Sequence, residues 1–191
     1  MRIKRALWLL ICLWTCSAHV VLAVDKEQLY QSWPQPVENQ LFTEERFDEL
    51  LEIKSVYQGR FHFENAQSFA IEYLSPIKGS LRLKNDLLVI DFPQRKLQTG
   101  LNQLPEVAQF LAPLQNLISG RPQALETNYQ VSVETLSTEV WQMVLEPKST
   151  MNLTASRITV TGKTVDNQTR VQSIKLDFNS GDWRLYRLKD E

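Results

Sequence analysis

Few residues in this chain are equipped for covalent or acid–base chemistry. Its two cysteines, Cys12 and Cys16, sit close to the N-terminus, and beyond residue 23 there is one histidine, His62. An imidazole can serve as a general base or a zinc ligand, but both roles need partners. His62 has neither a second histidine nor a thiolate to work with, which excludes a zinc site or a Cys–His pair. It alternates with Phe61 and Phe63 and is expected on the solvent side of a strand. No G-x-S-x-G elbow, phosphate-cradling glycine loop or G-x-G-x-x-G turn is present. The carboxylates are scattered, and no spacing fixes two of them in one apolar pocket. The chain is therefore read as a non-enzyme, with no catalytic residue, metal site or cofactor.

What remains is apolar chemistry, and it concentrates in residues 104–120. Leu104, Val107, Ala108, Leu111, Leu114 and Ile118 follow the i, i+3, i+4, i+7 spacing of one helical face, widened by Phe110 and Leu117. Pro105 suits the first turn, Gly120 and Pro122 end the helix, and Pro113 is expected to kink or split it. This greasy helix lies in the middle of a chain that otherwise reads as strand after strand. It must cover the apolar face of a sheet, and a cover that can move leaves a binding site beneath it.

The N-terminus reads as a leader. Arg2, Lys4 and Arg5 form a basic n-region, a short apolar run follows, and Val21-Leu22-Ala23 offers a cleavage site. Residues 1–23 are expected to be a secretory signal peptide, and 24–191 one domain. A second reading has Cys16 lipidated after Leu13-Trp14-Thr15, although Thr15 is larger than the small residue such a site prefers. With the leader removed both cysteines are gone, and the formal net charge moves from −1 to −4. That balance gives no electrostatic case for nucleic acid or an anionic membrane. Asn152-Leu-Thr154 and Asn167-Gln-Thr169 match the glycosylation sequon, a triplet that often arises by chance.

Along the chain, Asp25 is placed to cap a short helix over 26–32, with Gln28 as its capping-box partner. Phe42, Phe47, Leu50, Leu51 and Ile53 form a helix-like stripe, so residues 40–54 taken alone favour a helix. From residue 55 the period becomes two. Tyr57, Gly59, Phe61 and Phe63 share a face, then Phe69, Ile71 and Tyr73, then Leu81 and Leu83. Asn85-Asp86 is a two-residue turn into a strand over 87–92. A short helix is expected over 122–128. Strands resume with Tyr129, Val131 and Val133, then Trp141, Met143 and Leu145, then Ile158 and Val160. Gly162 should break that run; Ile174, Leu176 and Phe178 alternate again, and Ser180-Gly181-Asp182 turns into 183–188. Trp33, Trp141 and Trp183 are expected in the core or at its rim. Some ten strands exceed what an open twisted sheet carries without curling, so a curled sheet plugged by the central helix is expected.

In order, these features resemble the periplasmic lipoprotein carriers, the LolA family, and more closely its LolA-related branch. Phe42-Thr-Glu-Glu-Arg46 resembles the opening of that family's first strand, and Gly59-Arg-Phe61 the step into the next. Ile71-Glu-Tyr73 with Pro76 resembles its aromatic strand end and proline turn, and residues 114–120 the branch's leucine segment ending in glycine. Residues 141–145 with Glu146-Pro147-Lys148, then Ile158-Thr-Val160 with Gly162, and Ile174 onward resemble its closing strands. The resemblance implies a mainly β fold: a highly curved, half-open antiparallel barrel with a helical lid in its concavity. It also implies a strand, not a helix, over residues 40–53. One departure stands out. Housekeeping carriers have an arginine–proline pair after the second strand that latches the lid, whereas this chain reads Phe63-Glu-Asn-Ala66.

The implied activity is that of a monomeric periplasmic carrier, which receives an acylated lipid or lipoprotein from an inner-membrane donor protein and delivers it to an outer-membrane acceptor. Phe61, Phe63, Phe69, Ile71, Tyr73, Leu81, Leu83, Leu104, Val107, Phe110, Leu111, Leu114, Trp141 and Met143 are the expected cavity and lid residues. Each methylene removed from water gains ~0.8 kcal/mol, so ten shielded carbons give about 8 kcal/mol gross. Part of this is offset by displacing the lid and by lost freedom. The alternative is an envelope assembly or interaction protein, accessory to lipid or polyene export, that holds no cargo.

Overall fold

The computed structural model describes residues 25–65, 68–148 and 155–189. The leader, Cys12, Cys16 and the sequon at Asn152 lie outside the described residues. Eleven strands form one antiparallel sheet: β1 (Asn39–Asp48), β2 (Ile53–Asn65), β3 (Ser68–Ser75), β4 (Gly79–Lys84), β5 (Leu87–Phe92) and β6 (Arg95–Gly100) precede the central helix, and β7 (Tyr129–Thr135), β8 (Val140–Pro147), β9 (Ala155–Val165), β10 (Gln168–Phe178) and β11 (Trp183–Leu188) follow it. The order across the sheet is β6-β5-β4-β3-β2-β1-β11-β10-β9-β8-β7. The first and last strands therefore meet in the middle, while β6 and β7 are free edges. The sheet is open, but residues from both wings, such as Leu88 and Ile90 in β5 and Trp141 and Met143 in β8, share one core. Flat, eleven strands at about 4.8 Å would span roughly 50 Å. A shared core requires strong curvature.

The chain between the two free edges supplies the filling. A 3-10 turn (Leu101–Gln103), the helix α2 (Pro105–Ile118) and a 3-10 helix (Pro122–Thr127) connect β6 to β7. Of the kink or split expected at Pro113, the split does not occur: α2 is one helix through Pro113 and buries Phe110, Leu111, Pro113, Leu114, Leu117 and Ile118. Pro113 lacks only one N–H, and its burial in the core holds the turn together. At the C-terminus Gly120 has φ +74°, Arg121 N–H donates to the Asn116 carbonyl at 2.8 Å and Gly120 N–H to the Leu117 carbonyl at 3.4 Å. This is a Schellman stop. The short N-terminal helix α1 (Lys26–Gln31) braces it, because the Trp33 indole N–H donates to the Leu117 carbonyl at 3.0 Å. Asp25 occupies the N-cap position of α1 without the expected side-chain bond.

Other departures have local causes. Residues 40–48 form a strand, as the resemblance implied, but 49–52 are a turn and Ile53 opens β2. The apolar residues that suggested a helix there are exposed, Leu50 by 91% and Leu51 by 62%. The segment over 122–128 is a 3-10 helix rather than an α-helix. His62 is half-buried rather than fully exposed, its Nδ1 3.0 Å from Asn39 Oδ1. Edge strand β6 was not anticipated, since Leu97 is the lone large apolar residue in RKLQTG. Asn85-Asp86 turns as expected, both residues at positive φ, and Asp166-Asn167 does the same between β9 and β10. Thr169 of the second sequon is buried, its hydroxyl 2.7 Å from that of Ser32.

Gly162 does not break its strand. It lies within β9 opposite Trp141 of β8, and the indole ring occupies the space of the missing side chain. Gly59 plays the same part in β2, where an added Cβ would come within 2.6 Å of Phe42 Cζ. Both glycines thus let a large ring lie flat against its neighbouring strand. Gly162→Ala is expected to destabilise the protein by about 1–3 kcal/mol through overpacking against Trp141. The urea midpoint reports this, and an unchanged midpoint would contradict the packing described.

Candidate functional site

The concave floor is built of rings contributed by adjacent strands. Phe42 of β1 stands 4.5 Å from Phe61 of β2 and 5.4 Å from Tyr186 of β11, centroid to centroid, and Phe61 continues the chain to Phe69 of β3 at 5.8 Å. Strand alternation places these side chains on one face, and α2 lies over them. The helix follows β11: near its start Phe110 meets Arg184, and at its end Leu117 and Ile118 share a cavity with Leu188.

Set into this floor is a charged cluster that the sequence reading did not identify. Glu44 of β1 is wholly buried. Arg46, two residues along the same face, grips it with both arms, Nε to Oε1 and Nη2 to Oε2 at 2.8 Å each. Arg184 stands beside Arg46 in register on β11, its Nη1 4.0 Å from Glu44 Oε1. The Arg46 guanidinium also lies 4.2 Å over the Tyr57 ring and 5.1 Å over that of Tyr73. Such a bidentate pair satisfies the carboxylate where water is absent. The hydroxyls of Tyr73 and Tyr186 and the indole N–H of Trp141 are buried without a hydrogen-bond partner. Burial first, and then the negative charge of Glu44, raises the phenols of Tyr73 and Tyr186 above their ordinary pKa.

Three cavities border these elements. One of about 670 Å³ opens at the N-terminal end of α2, between Arg46, Tyr57, Val107, Phe110, Phe178 and Arg184, with Asp48, Glu106 and Asp182 toward its mouth. A second, about 260 Å³, lies at the opposite end of the helix among Pro34, Val37, Leu117, Ile118, Val171, Ile174 and Leu188. The third, about 420 Å³, lies along β3 to β6 and includes Tyr73 and Phe92. Among the described residues no group of three or more histidine, cysteine or carboxylate side chains is arranged to hold a metal ion, and no helix is long and apolar enough to cross a membrane.

The expected lining residues divide clearly. Val107 and Phe110 line the 670 Å³ cavity and Tyr73 the 420 Å³ one. Phe61, Phe69, Ile71, Leu111, Leu114, Trp141 and Met143 are buried in the core beneath or within α2, and Leu83 is buried outside that cluster. Leu81 and Leu104 pack at its margin, and Phe63 is half-buried outside that cluster. With α2 seated, the helix itself occupies the space over the floor. Glu44, Arg46 and Arg184 escaped notice because β1 and β11 meet only in the folded sheet.

The strain of the two unpartnered phenols has a measurable sign. Each is held neutral by the fold, whereas an unfolded tyrosine ionises near pH 10. Ionisation of these phenols therefore costs the fold nothing below about pH 10, and stability declines as pH rises above it, because the unfolded chain releases protons that the folded one keeps. Tyr186→Phe is expected to leave stability at pH 7 unchanged or raised by up to about 1 kcal/mol, since no hydrogen bond is lost. It should also flatten the decline above pH 10 in urea titrations; a marked loss at pH 7 would show that the hydroxyl is bonded.

A family model described as outer membrane lipoprotein carrier protein LolA-like matches residues 18–175. A comparison with curated protein sequences finds no match. Solved structures similar to this chain include a LolA superfamily protein from Nitrosomonas europaea, 11% identical with a TM-score of 0.47, over 86% of this chain and 89% of that one. A DUF1329 family protein from Desulfovibrio piger is 10% identical with a TM-score of 0.44, over 80% and 83%. Lipoprotein LppX of Mycobacterium tuberculosis is 9% identical with a TM-score of 0.35, over 80% and 85%. These likenesses are distant, and membership rests on the family match. With most of its length matched, the chain belongs to the outer membrane lipoprotein carrier protein LolA-like family.

Proposed function

We propose that this protein is a periplasmic carrier, holding the acyl chains of a lipid or lipoprotein beneath α2 and passing them from an inner-membrane donor to an outer-membrane acceptor. The observation that carries this reading is the position of α2. It is an amphipathic segment of the connection between two free sheet edges, seated on an apolar floor, with a cavity at each end. Burying Phe110, Leu111, Leu114, Leu117 and Ile118 at about 2 kcal/mol each stabilises the empty protein by ~10 kcal/mol gross. An acyl chain of ten to twelve carbons releases a comparable amount at ~0.8 kcal/mol per methylene. Helix and cargo can thus exchange for one surface, and neither holds it irreversibly. The leader read at residues 1–23 supplies the route across the inner membrane, and the family description supports the class of cargo.

One observation favours a second reading, an envelope assembly protein without cargo: the floor residues are fully buried under the seated helix. The two readings separate on the purified protein. The carrier is expected to copurify with extractable lipid, or to take up a hydrophobic dye whose fluorescence a long-chain fatty acid then quenches by displacement. A protein yielding no lipid and ignoring the dye would sink the carrier reading. Phe110→Asp, which places a charge at the edge of the 670 Å³ cavity, is expected to weaken dye uptake at least about tenfold, a loss of 1.4 kcal/mol or more.

A further inference from the structure

The 670 Å³ cavity is graded in charge along its depth. Alternate residues on the concave face of β1 run Phe42, Glu44, Arg46 and Asp48 from interior to mouth. On β11 the register sets Leu188 opposite Phe42, Tyr186 opposite Glu44 and Arg184 opposite Arg46, while Asp182 lies just before that strand. Going outward, hydrocarbon is followed by the buried Glu44, then by the guanidinium groups of Arg46 and Arg184, and then by carboxylate at the mouth.

The middle layer holds two arginines, Arg46 and Arg184, around the single carboxylate of Glu44. Glu44 is engaged on both oxygens by Arg46, so one carboxylate neutralises one of the two arginines. Arg184 has only Glu44 Oε1 at 4.0 Å, beyond hydrogen-bond reach, and is otherwise flanked by ring faces, Phe110 at 4.5 Å and Phe178 at 5.8 Å. Its side chain is 27% exposed, so the guanidinium is held in the cavity wall and not dispersed in solvent. Ring faces leave the planar fork of N–H donors open, and that fork matches a phosphate or carboxylate. At the mouth, Asp48 and Asp182 accept N–H bonds from Leu51 and Glu49, each at 2.9 Å, which fixes two carboxylates there, and Glu106 adds a third from the first turn of α2.

We propose that this cavity receives the headgroup of a zwitterionic phospholipid, the phosphate on Arg184 and the ammonium among the carboxylates at the mouth, with the acyl chains lying under α2. The inference rests on the carrier reading and narrows its cargo. A diacylglyceryl group without phosphate would leave Arg184 with only its long 4.0 Å contact to Glu44, which Arg46 already holds. An anionic phospholipid lacking the amine would set its headgroup against Asp48, Asp182 and Glu106.

The test uses three lipids with identical oleoyl chains: phosphatidylethanolamine, phosphatidylglycerol and diacylglycerol. Each is offered to the purified protein from detergent micelles and its retention read by native mass spectrometry. Phosphatidylethanolamine is expected to be retained best and diacylglycerol least. Arg184→Gln should lower phosphatidylethanolamine retention about tenfold, as expected for a lost charge-assisted hydrogen bond, and leave diacylglycerol retention unchanged. Arg184→Lys should recover part of the loss. Diacylglycerol retained as well as phosphatidylethanolamine, or an Arg184→Gln variant indifferent to lipid type, would overturn the phosphate site. Phosphatidylglycerol retained as well as phosphatidylethanolamine would overturn the zwitterion. Failure to retain all three lipids would instead overturn the carrier reading beneath it.

Discussion

The constraint from which the structure follows is that an open sheet of eleven strands has one continuous apolar face and two unpaired edges, and water must be kept from that face. Curvature brings the wings together but does not close the gap between β6 and β7. The chain meets the need with the segment that must cross that gap in any case. Helix α2 is at once the connection between the edges and the plug between the wings. Its ends are fixed, by Pro105 and the 3-10 turn at one side and by Gly120, Trp33 and the second 3-10 helix at the other. Between those ends the burial of Phe110, Leu111, Leu114, Leu117 and Ile118 holds it, an interaction without direction that another hydrocarbon can replace.

The Glu44–Arg46 pair works against that economy and so has to be explained. Removing two charges from water costs several kcal/mol per ion, and the bidentate geometry offsets the cost without turning it into a large gain. An apolar pair would seal the floor as well. A buried ion pair with a second arginine beside it therefore points away from stability and toward recognition. The phenols of Tyr73 and Tyr186, raised in pKa by burial and by Glu44, mark the same place as electrostatically demanding. Polar groups of this kind sit where the helix begins, next to the larger of its two flanking cavities.

Much of the fold was legible in the sequence because the two hydrophobic periods are distinct. Alternation in β2, β3, β8 and β10 reflects one wet and one covered face, and the stripe in α2 is that of a helix seated on a sheet. Three features were illegible for physical reasons. Strand β6 is an edge strand with little to bury, so its pattern is nearly all polar. The turn after β1 exposes Leu50 and Leu51, and exposed leucines at helical spacing imitate a buried stripe. Glu44, Arg46 and Arg184 became a site only through the pairing of the first strand with the last, contacts between positions some 140 residues apart that no local window contains. Gly162 was misread for a related reason, since the ring that fills its missing side chain belongs to the strand alongside.

The central claim is that α2 and cargo contend for one surface, and a distance across the mouth reports it directly. Spin labels at Glu106→Cys on α2 and Ser156→Cys on β9, both exposed positions, can be placed in a protein lacking residues 1–23 and hence any other cysteine. Double electron–electron resonance should give one narrow distance in the empty protein and a distribution shifted by several ångströms once a long-chain lipid is bound. A distance that stays the same with lipid demonstrably bound would contradict the exchange of helix for hydrocarbon.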